Sequence, residues 1–283
     1  MKTAICFYGL VGGKNNFQKT HKWMNFKNSD DFCEIAHRHY KNHIFLKNNN
    51  IDIFVHTWSV DYKEVIESLY NPISSEYQEQ KTFDQRPRHF DPKADRKIWG
   101  AFSRWYSTKK VIDLKKQHER ENKFTYDCVM LTRFDIAFMR DLCFEDYNME
   151  NFYAAGQKNK NHVHVTSDKY VADWWFFSNS KNMDDFCNLY EDMSIHGPDS
   201  DWSDQHRMAR SRINHLGLSK KLAFTHFRDD DNKLVRELAS NPQCKNRGNW
   251  WNYNKETGLY YPSQELPVNE LFPEQRRHLK WRD

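Results

Sequence analysis

The stretch Tyr126–Phe138, YDCVMLTRFDIAF, decides the fold. Its centre is a short apolar run, closed in front by Tyr126-Asp127, and it reads as a buried strand. A strand apolar on both faces belongs to a sheet covered by helices on both sides, and such sheets are mainly parallel. Arg133 and Asp135 stand two apart at its carboxyl end, where a buried strand carries charge only if the charge is paired or used. Ligands of open α/β sheets bind beyond the carboxyl ends of the strands, so the position itself suggests a use. An aspartate held there can take a divalent cation together with phosphate oxygens. An arginine beside it can meet a phosphate or hold the carboxylate. The plainer alternative is an Arg–Asp pair that closes the strand.

Outward from this stretch, strands and helices alternate. TAICFYGLV (3–11) and IDIFVHTWS (51–59) read as strands, the first followed by Gly12-Gly13. Between them, 30–48 presents Phe32, Ile35, Ala36 and His39 on one helical face. A short helix over 60–70 and a Pro- and Gln-containing loop over 71–93 come next. A long amphipathic helix follows over 96–119, with Ile98, Phe102, Trp105, Tyr106, Val111, Ile112 and Leu114 as its apolar positions. Residues 151–156 and 173–180 read as strands, 181–193 and 201–216 as helices. The alternation predicts an α/β fold with a mainly parallel sheet flanked by helices. From about residue 240 the chain turns Pro-, Asn- and Trp-rich, which predicts an irregular C-terminal extension. We therefore divide the chain into a domain over 1–238 and an extension over 239–283 packed on it.

Composition narrows the class. A chain of 283 residues can bury a substantial core as one large domain. No run of about 18 apolar residues occurs, so no transmembrane helix is predicted. The opening MKTAICFYGLVGGKNN reads as a first strand with a glycine turn rather than as a signal peptide. The six cysteines are scattered, without CxxC or metal-finger spacing, as reduced packing residues of a cytoplasmic protein would be. A net charge of +4 suits an anionic ligand without asking for nucleic acid. Aromatic residues reach 16 %, with ten Trp, and aromatic faces stack on sugars and bases as well as filling cores. There is no GxGxxG, no GxxxxGK[ST], no GxSxG, no HExxH and no protein-kinase signature. Dinucleotide, P-loop, serine-hydrolase, zincin and kinase chemistry lose their usual marks.

Polar groups gather instead at strand ends: Tyr8-Gly9 after the first, His56-Thr57-Trp58-Ser59 after the second, Arg133 and Asp135 after the third. TRFDIAF resembles the aspartate motif of GT-A glycosyltransferases, in which a DxD-like element after a central strand holds a metal and the nucleotide-sugar diphosphate. It is similar in particular to bacterial and large-virus surface-glycan (capsule- and lipopolysaccharide-type) enzymes. Their pattern runs from an aromatic-Tyr-Ser helix through Tyr-Asp and an apolar strand to Arg-x-Asp, and SRWYSTKKVIDLKKQHERENKFTYDCVMLTRFDIAF (103–138) follows it in order. AICFYGLVG, DIFVHTWS and DWWFFSNSKNMDDFCNLY (173–190) resemble further elements of that set, and the resemblance covers about 1–225. One departure stands out. Arg133 occupies the place of the first acid of a DxD, which leaves Asp135 as the single acid of the motif and lets Arg133 supply part of the positive charge.

The resemblance implies a GT-A, Rossmann-like fold. It implies a hexosyl- or pentosyltransferase that moves a sugar from a nucleotide-sugar donor, UDP-linked, to a glycan acceptor hydroxyl. It also implies Mn²⁺ or Mg²⁺ at Asp135, with His226 of LAFTHFRDD as a further ligand; a histidine packed at a strand end is the plainer reading of His226. Tyr8, Gly9, His56, Thr57, Arg104 and Arg133 would meet the nucleotide sugar, with Lys109 within reach of phosphate. An inverting transfer needs a carboxylate to take the acceptor proton. GPDSDWSDQHRMARSRI supplies Asp199, Asp201 and Asp204; Asp204 is preferred, with Asp201 and Asp173 as rivals. Acids ahead of a helix are also ordinary N-caps. The aromatic tail, Trp250, Trp251, Tyr253, Tyr260 and Tyr261, is an acceptor platform or a cover for the core. A non-catalytic nucleotide- or carbohydrate-binding protein on the same fold needs neither base nor metal. A metal-dependent nuclease usually shows more clustered acids and a more basic chain.

Overall fold

The computed structural model of the chain describes residues 1–11, 32–158, 164–165, 170–199, 202, 204–226, 231–235, 251–254, 256–257 and 259–262. The strands are β1 (Thr3–Gly9), β2 (Ile51–Thr57), β3 (Ser74–Tyr77), β4 (Cys128–Arg133), β5 (Ile136–Phe138), β6 (Phe152–Ala155), β7 (Gln157–Lys158), β8 (His164–Val165), β9 (Ala172–Ser178), β10 (Leu222–Thr225), β11 (Asn232–Leu234), β12 (Trp251–Asn254) and β13 (Leu259–Pro262). The helices are α1 (Phe32–His43), α2 (Lys63–Tyr70), α3 (Pro92–Asn122), α4 (Ser180–Cys187), α5 (Met193–Asp199) and α6 (Gln205–His215).

Seven strands form one sheet in the order β10-β6-β9-β4-β1-β2-β3. Every neighbouring pair is parallel except those that involve β9, which runs antiparallel between β4 and β6. This is the mainly parallel, helix-flanked α/β fold that the alternation predicts. β1 shows why both faces must be covered: TAICFYG is buried along almost its whole length. Successive side chains of a strand point to opposite faces. Ile5 and Phe7 thus enter a core shared with Tyr40 of α1. Ala4, Cys6 and Tyr8 enter the core shared with Trp105 of α3.

α3 is the longest element, 31 residues, and its start is fully specified. Asp91 caps it by accepting a hydrogen bond from the Lys93 amide at 2.9 Å, and Pro92 takes the first turn, where a missing N–H costs nothing. Lys115 of this helix has no exposed surface. Its Nζ lies 2.9 Å from Glu119, 2.6 Å from Asp184 and 2.6 Å from the Ser180 hydroxyl, which ties α3 to α4.

The structure departs from the sequence expectation at four places. The stretch 126–138 is not one strand: β4 stops at Arg133, and β5 pairs antiparallel with β11 outside the main sheet. Phe134 makes the break, its ring stacked 5.1 Å from Phe7 in the core. Residues 71–93 contain β3, a polar four-residue edge strand whose half-buried SSEY gives no apolar signal. The long helix over 96–119 begins at Pro92, inside the stretch read as a loop, and runs to Asn122. The helix over 201–216 begins at Gln205.

Gly12, Gly13, Trp250 and the bulk of the C-terminal extension lie outside the described residues, which there contain the β12–β13 hairpin. Among the described residues no helix is long and apolar enough to cross a membrane. Cys6, Cys33, Cys128, Cys143 and Cys187 form no disulfide among the described residues, and all but Cys143 are buried; Cys244 lies outside the described residues.

Candidate active site

β1 ends at Gly9 with φ +93°, a conformation that favours glycine. An added Cβ there meets nothing within 4 Å, so the backbone angle and not space requires the residue. The Gly9 amide donates to the Ser107 hydroxyl of α3 at 2.9 Å, and the Gly9 carbonyl accepts from the Trp58 amide at 3.3 Å. Behind this turn, His56 Nε2 faces the Gln78 side-chain oxygen at 3.3 Å and Nδ1 faces Ser107 Oγ at 2.7 Å. An acceptor at Nε2 places the ring proton there and leaves Nδ1 to accept from the hydroxyl. Burial pushes the His56 pKa down to about 4, so the ring is neutral. Thr57 Oγ1 accepts from the Ser59 amide at 3.0 Å. His56 and Thr57 are fully buried. Both stand beneath the strand ends and shape the turn that carries Gly9.

Arg104 organises the next layer. It projects from α3 and lies buried over the Tyr8 ring, its guanidinium carbon 5.1 Å from the ring centroid. One terminal nitrogen pairs with the Asp173 carboxylate and reaches the Gln205 side-chain oxygen at 3.3 Å. The other donates to the Tyr8 hydroxyl and to the Asp173 carbonyl. Because β9 runs antiparallel, Asp173 near its start arrives at the same end of the sheet as the carboxyl ends of β1 and β4. His206 Nδ1 lies 3.1 Å from the second Asp173 oxygen and 3.0 Å from the Val171 carbonyl. Burial raises the Asp173 pKa, but Arg104, then His206 and Arg133, outweigh it and hold the carboxyl below its ordinary range. Tyr8 is pushed up to about 12 by burial, against the pull of both arginines, and remains a phenol.

Arg133 and Asp135 meet side-on, Nε to Oδ1 and Nη2 to Oδ2, both at 2.8 Å. The Arg133 carbonyl accepts from the Tyr40 hydroxyl at 2.7 Å, so the Thr132 hydroxyl, 2.7 Å from the same oxygen, is the donor to Tyr40. The Asp135 carbonyl accepts from the Val235 amide at 2.8 Å. The pair is therefore fixed from α1 and from the residue that follows β11 as well as by itself.

These positions bear on the cation. A guanidinium across both Asp135 oxygens sits where a divalent ion would have to sit. At about 4 Å and an effective dielectric near 20 the two repel by about 8 kcal/mol. His226 ends β10 at φ +49° and is buried. Its Nε2 faces the Asp141 carbonyl at 2.9 Å and must carry the proton; its Nδ1 faces the Thr225 hydroxyl at 3.0 Å. Burial lowers its pKa, with Asp231 pulling the other way. As they stand, Asp135 and His226 do not fit a cation: the Arg133 guanidinium lies across both Asp135 oxygens, and His226 Nε2 is turned to the Asp141 carbonyl.

The candidate bases are placed unequally. Asp204 caps α6, Oδ1 accepting from the His206 amide at 3.0 Å and the Arg207 amide at 3.2 Å, with Oδ2 3.3 Å from Arg207 Nε. Its side chain is 36 % exposed. Asp199 ends α5, and Asp201 lies outside the described residues. Lys109 pairs with Asp113 one turn on, as the solvated face of a helix does.

Sequence reasoning missed three contributors to the site, Gln205, His206 and Tyr40, and one residue that packs on α3, Trp202. Trp202 has φ +56°, donates its amide to the Gly197 carbonyl at 2.8 Å, and stacks on Phe102 with centroids 6.0 Å apart and planes 10° off parallel. An aromatic embedded in the acidic run DSDWSD was the available signal for it.

No protein-family model matches the chain, and no curated protein matches it. Among solved structures it is similar to the nucleoside-diphosphate-sugar pyrophosphorylase from Vibrio cholerae RC9. The TM-score is 0.46 and the identity 10 %, over 83 % of this chain and 95 % of that one. It is also similar to a protein of Desulfovibrio desulfuricans G20 assigned as a nucleotide-diphospho-sugar transferase, with a TM-score of 0.40 and 9 % identity over 80 % of each chain.

Proposed function

We propose that the chain is a glycosyltransferase that moves a hexosyl or pentosyl unit from a UDP-linked donor to a glycan hydroxyl, with inversion. The observation that carries this reading is the convergence of two guanidiniums, Arg104 and Arg133, with Tyr8, Asp135 and Asp173 at the carboxyl ends of β1 and β4. That end of an open α/β sheet receives the ligand. An arginine suits a diphosphate, and of the two Arg133 is the more open, Arg104 being held by Asp173, Gln205 and Tyr8; the motif order along 103–138 resembles that of surface-glycan transferases.

In the proposed step the acceptor oxygen attacks the anomeric carbon while the bond from that carbon to the diphosphate oxygen breaks. The electron pair leaves with the diphosphate. The acceptor proton passes to a carboxylate, and positive charge builds on the sugar ring between them. We assign the proton to Asp204, with Asp201 as its rival. Asp173 is the weaker base, because its carboxyl is held low and both oxygens are taken; its part is to hold Arg104. Gly9 lets the backbone approach the nucleotide, and Tyr8, buried beneath Arg104 with its hydroxyl held there, supports that end of the sheet.

The test is a thermal-shift and hydrolysis panel of nucleotide sugars, each in Mn²⁺, in Mg²⁺ and in EDTA, on the full chain and on Asp135→Ala. A donor present at a hundred times its Kd adds about 2.7 kcal/mol, a rise of roughly 5 °C in Tm. One sugar nucleotide that stabilises the wild type, is slowly hydrolysed, and does neither with the variant supports the reading. If none shifts the wild type, the reading fails.

A further inference from the structure

We propose that Arg133 itself supplies the counter-charge for the donor's diphosphate, with Asp135 as the residue that aims it, so that donor binding needs no divalent cation. The proposal rests on the glycosyltransferase reading and assigns its charge.

A guanidinium has five N–H donors and two edges that can each grip a pair of oxygens. Asp135 takes the edge formed by Nε and Nη2. Among the described residues nothing else takes the two protons of Nη1 or the second proton of Nη2, and that edge has the spacing of two phosphate oxygens. Arg133 keeps 23 % of its side chain open against 8 % for Asp135, so of the two the guanidinium is the one a ligand meets. Its direction is not left to a flexible stem. Tyr40 holds its carbonyl, Asp135 holds its inner edge, and the Val235 amide holds the backbone of Asp135. An arginine stays protonated, so it donates hydrogen bonds to the departing diphosphate and transfers no proton. Asp135 touches no substrate in this account and is a positioning residue.

The experiment is calorimetric titration of UDP into the full chain, in excess EDTA and in Mn²⁺. The expected wild-type result is the same affinity in both. Arg133→Ala is expected to lose about ten- to a hundredfold in EDTA, the cost of charge-assisted hydrogen bonds. It is expected to recover in Mn²⁺, because the substitution uncovers the Asp135 carboxylate. Asp135→Asn is expected to weaken UDP in both buffers and to acquire no response to Mn²⁺. The wild-type comparison needs no variant to fold, and circular dichroism checks that the variants do. Wild-type binding that appears only in Mn²⁺ overturns the inference and leaves the glycosyltransferase reading standing. An absence of binding by UDP and by the other nucleoside diphosphates in both buffers removes both.

Discussion

Arg104 of α3 and Asp173 of β9 are locked together at the carboxyl end of the sheet although 69 residues separate them in the chain. Both are buried, so neither charge has water to fall back on. Removing one partner strands the other, at a cost of about 3–5 kcal/mol; removing both costs less than the sum of the singles. Urea unfolding of Arg104→Ala, Asp173→Ala and the double variant measures this. Additive losses would show that the two do not act as a pair.

Acid sensitivity follows from the neutral histidines. His39 and His56 are each pushed down to about 4 by burial. Their unfolded pKa is near 6.5, so between that value and about 4 the unfolded chain binds protons that the folded one refuses. Stability is therefore complete above pH 6.5 and declines as pH falls toward 4, by about 3 kcal/mol for each ring at most. Unfolding midpoints at pH 7 and pH 5 report the slope, and His56→Gln should flatten part of it. An unchanged midpoint in the wild type contradicts the assignment.

Tyr40→Phe deletes a single oxygen that serves both the Arg133 carbonyl and the Thr132 hydroxyl. Leaving buried polar groups unsatisfied costs about 1–3 kcal/mol. The functional expectation is a higher KM for donor at nearly unchanged kcat, since Arg133 loses its backbone anchor and no base is touched. A fall in kcat alone argues against that role.

Gly197 lies directly against the Trp202 ring, and a Cβ there falls well inside van der Waals contact. Gly197→Ala should push Trp202 off Phe102, with a loss of about 1–3 kcal/mol from overpacking. Near-ultraviolet circular dichroism reads the stacked pair. Transfer activity should fall with it, because the same turn leads into Asp204.

Much of this architecture is legible in the sequence. β1, β2 and α3 announce themselves by apolar runs, β-branched residues and helical spacing of apolar positions, all local signals, although the Asp91-Pro92 start of α3 falls in a stretch that reads as loop. The charged end of β4 points to the site for the same reason: two charges where burial forbids them. Phe134, in contrast, looks like one more strand residue, and only its stacking on Phe7 turns the chain out of the sheet. Asp173 was legible as an acid, but its neighbours were not. The direction of β9 is set by pairing with strands far away in the chain, and nothing local in ADWWFFS records it. Asp204 shows the limit from the other side: an acid before a helix reads equally as cap and as base, and it does cap α6.

The position of β9 also bears on how the protein is made. β6 is synthesised before β9, yet its neighbours in the sheet, β9 and β10, both come later in the chain. A nascent chain that has released β1 to β6 can close only the half running from β4 to β3, while β6 waits without a strand to pair with. The last parts of the sheet to join are thus the ones beside the site, and they bring Asp173, Gln205 and His206 to Arg104 in the same event. A truncated product ending before β9 would expose Arg104 with neither its carboxylate nor its cover, the kind of surface on which quality-control proteases act.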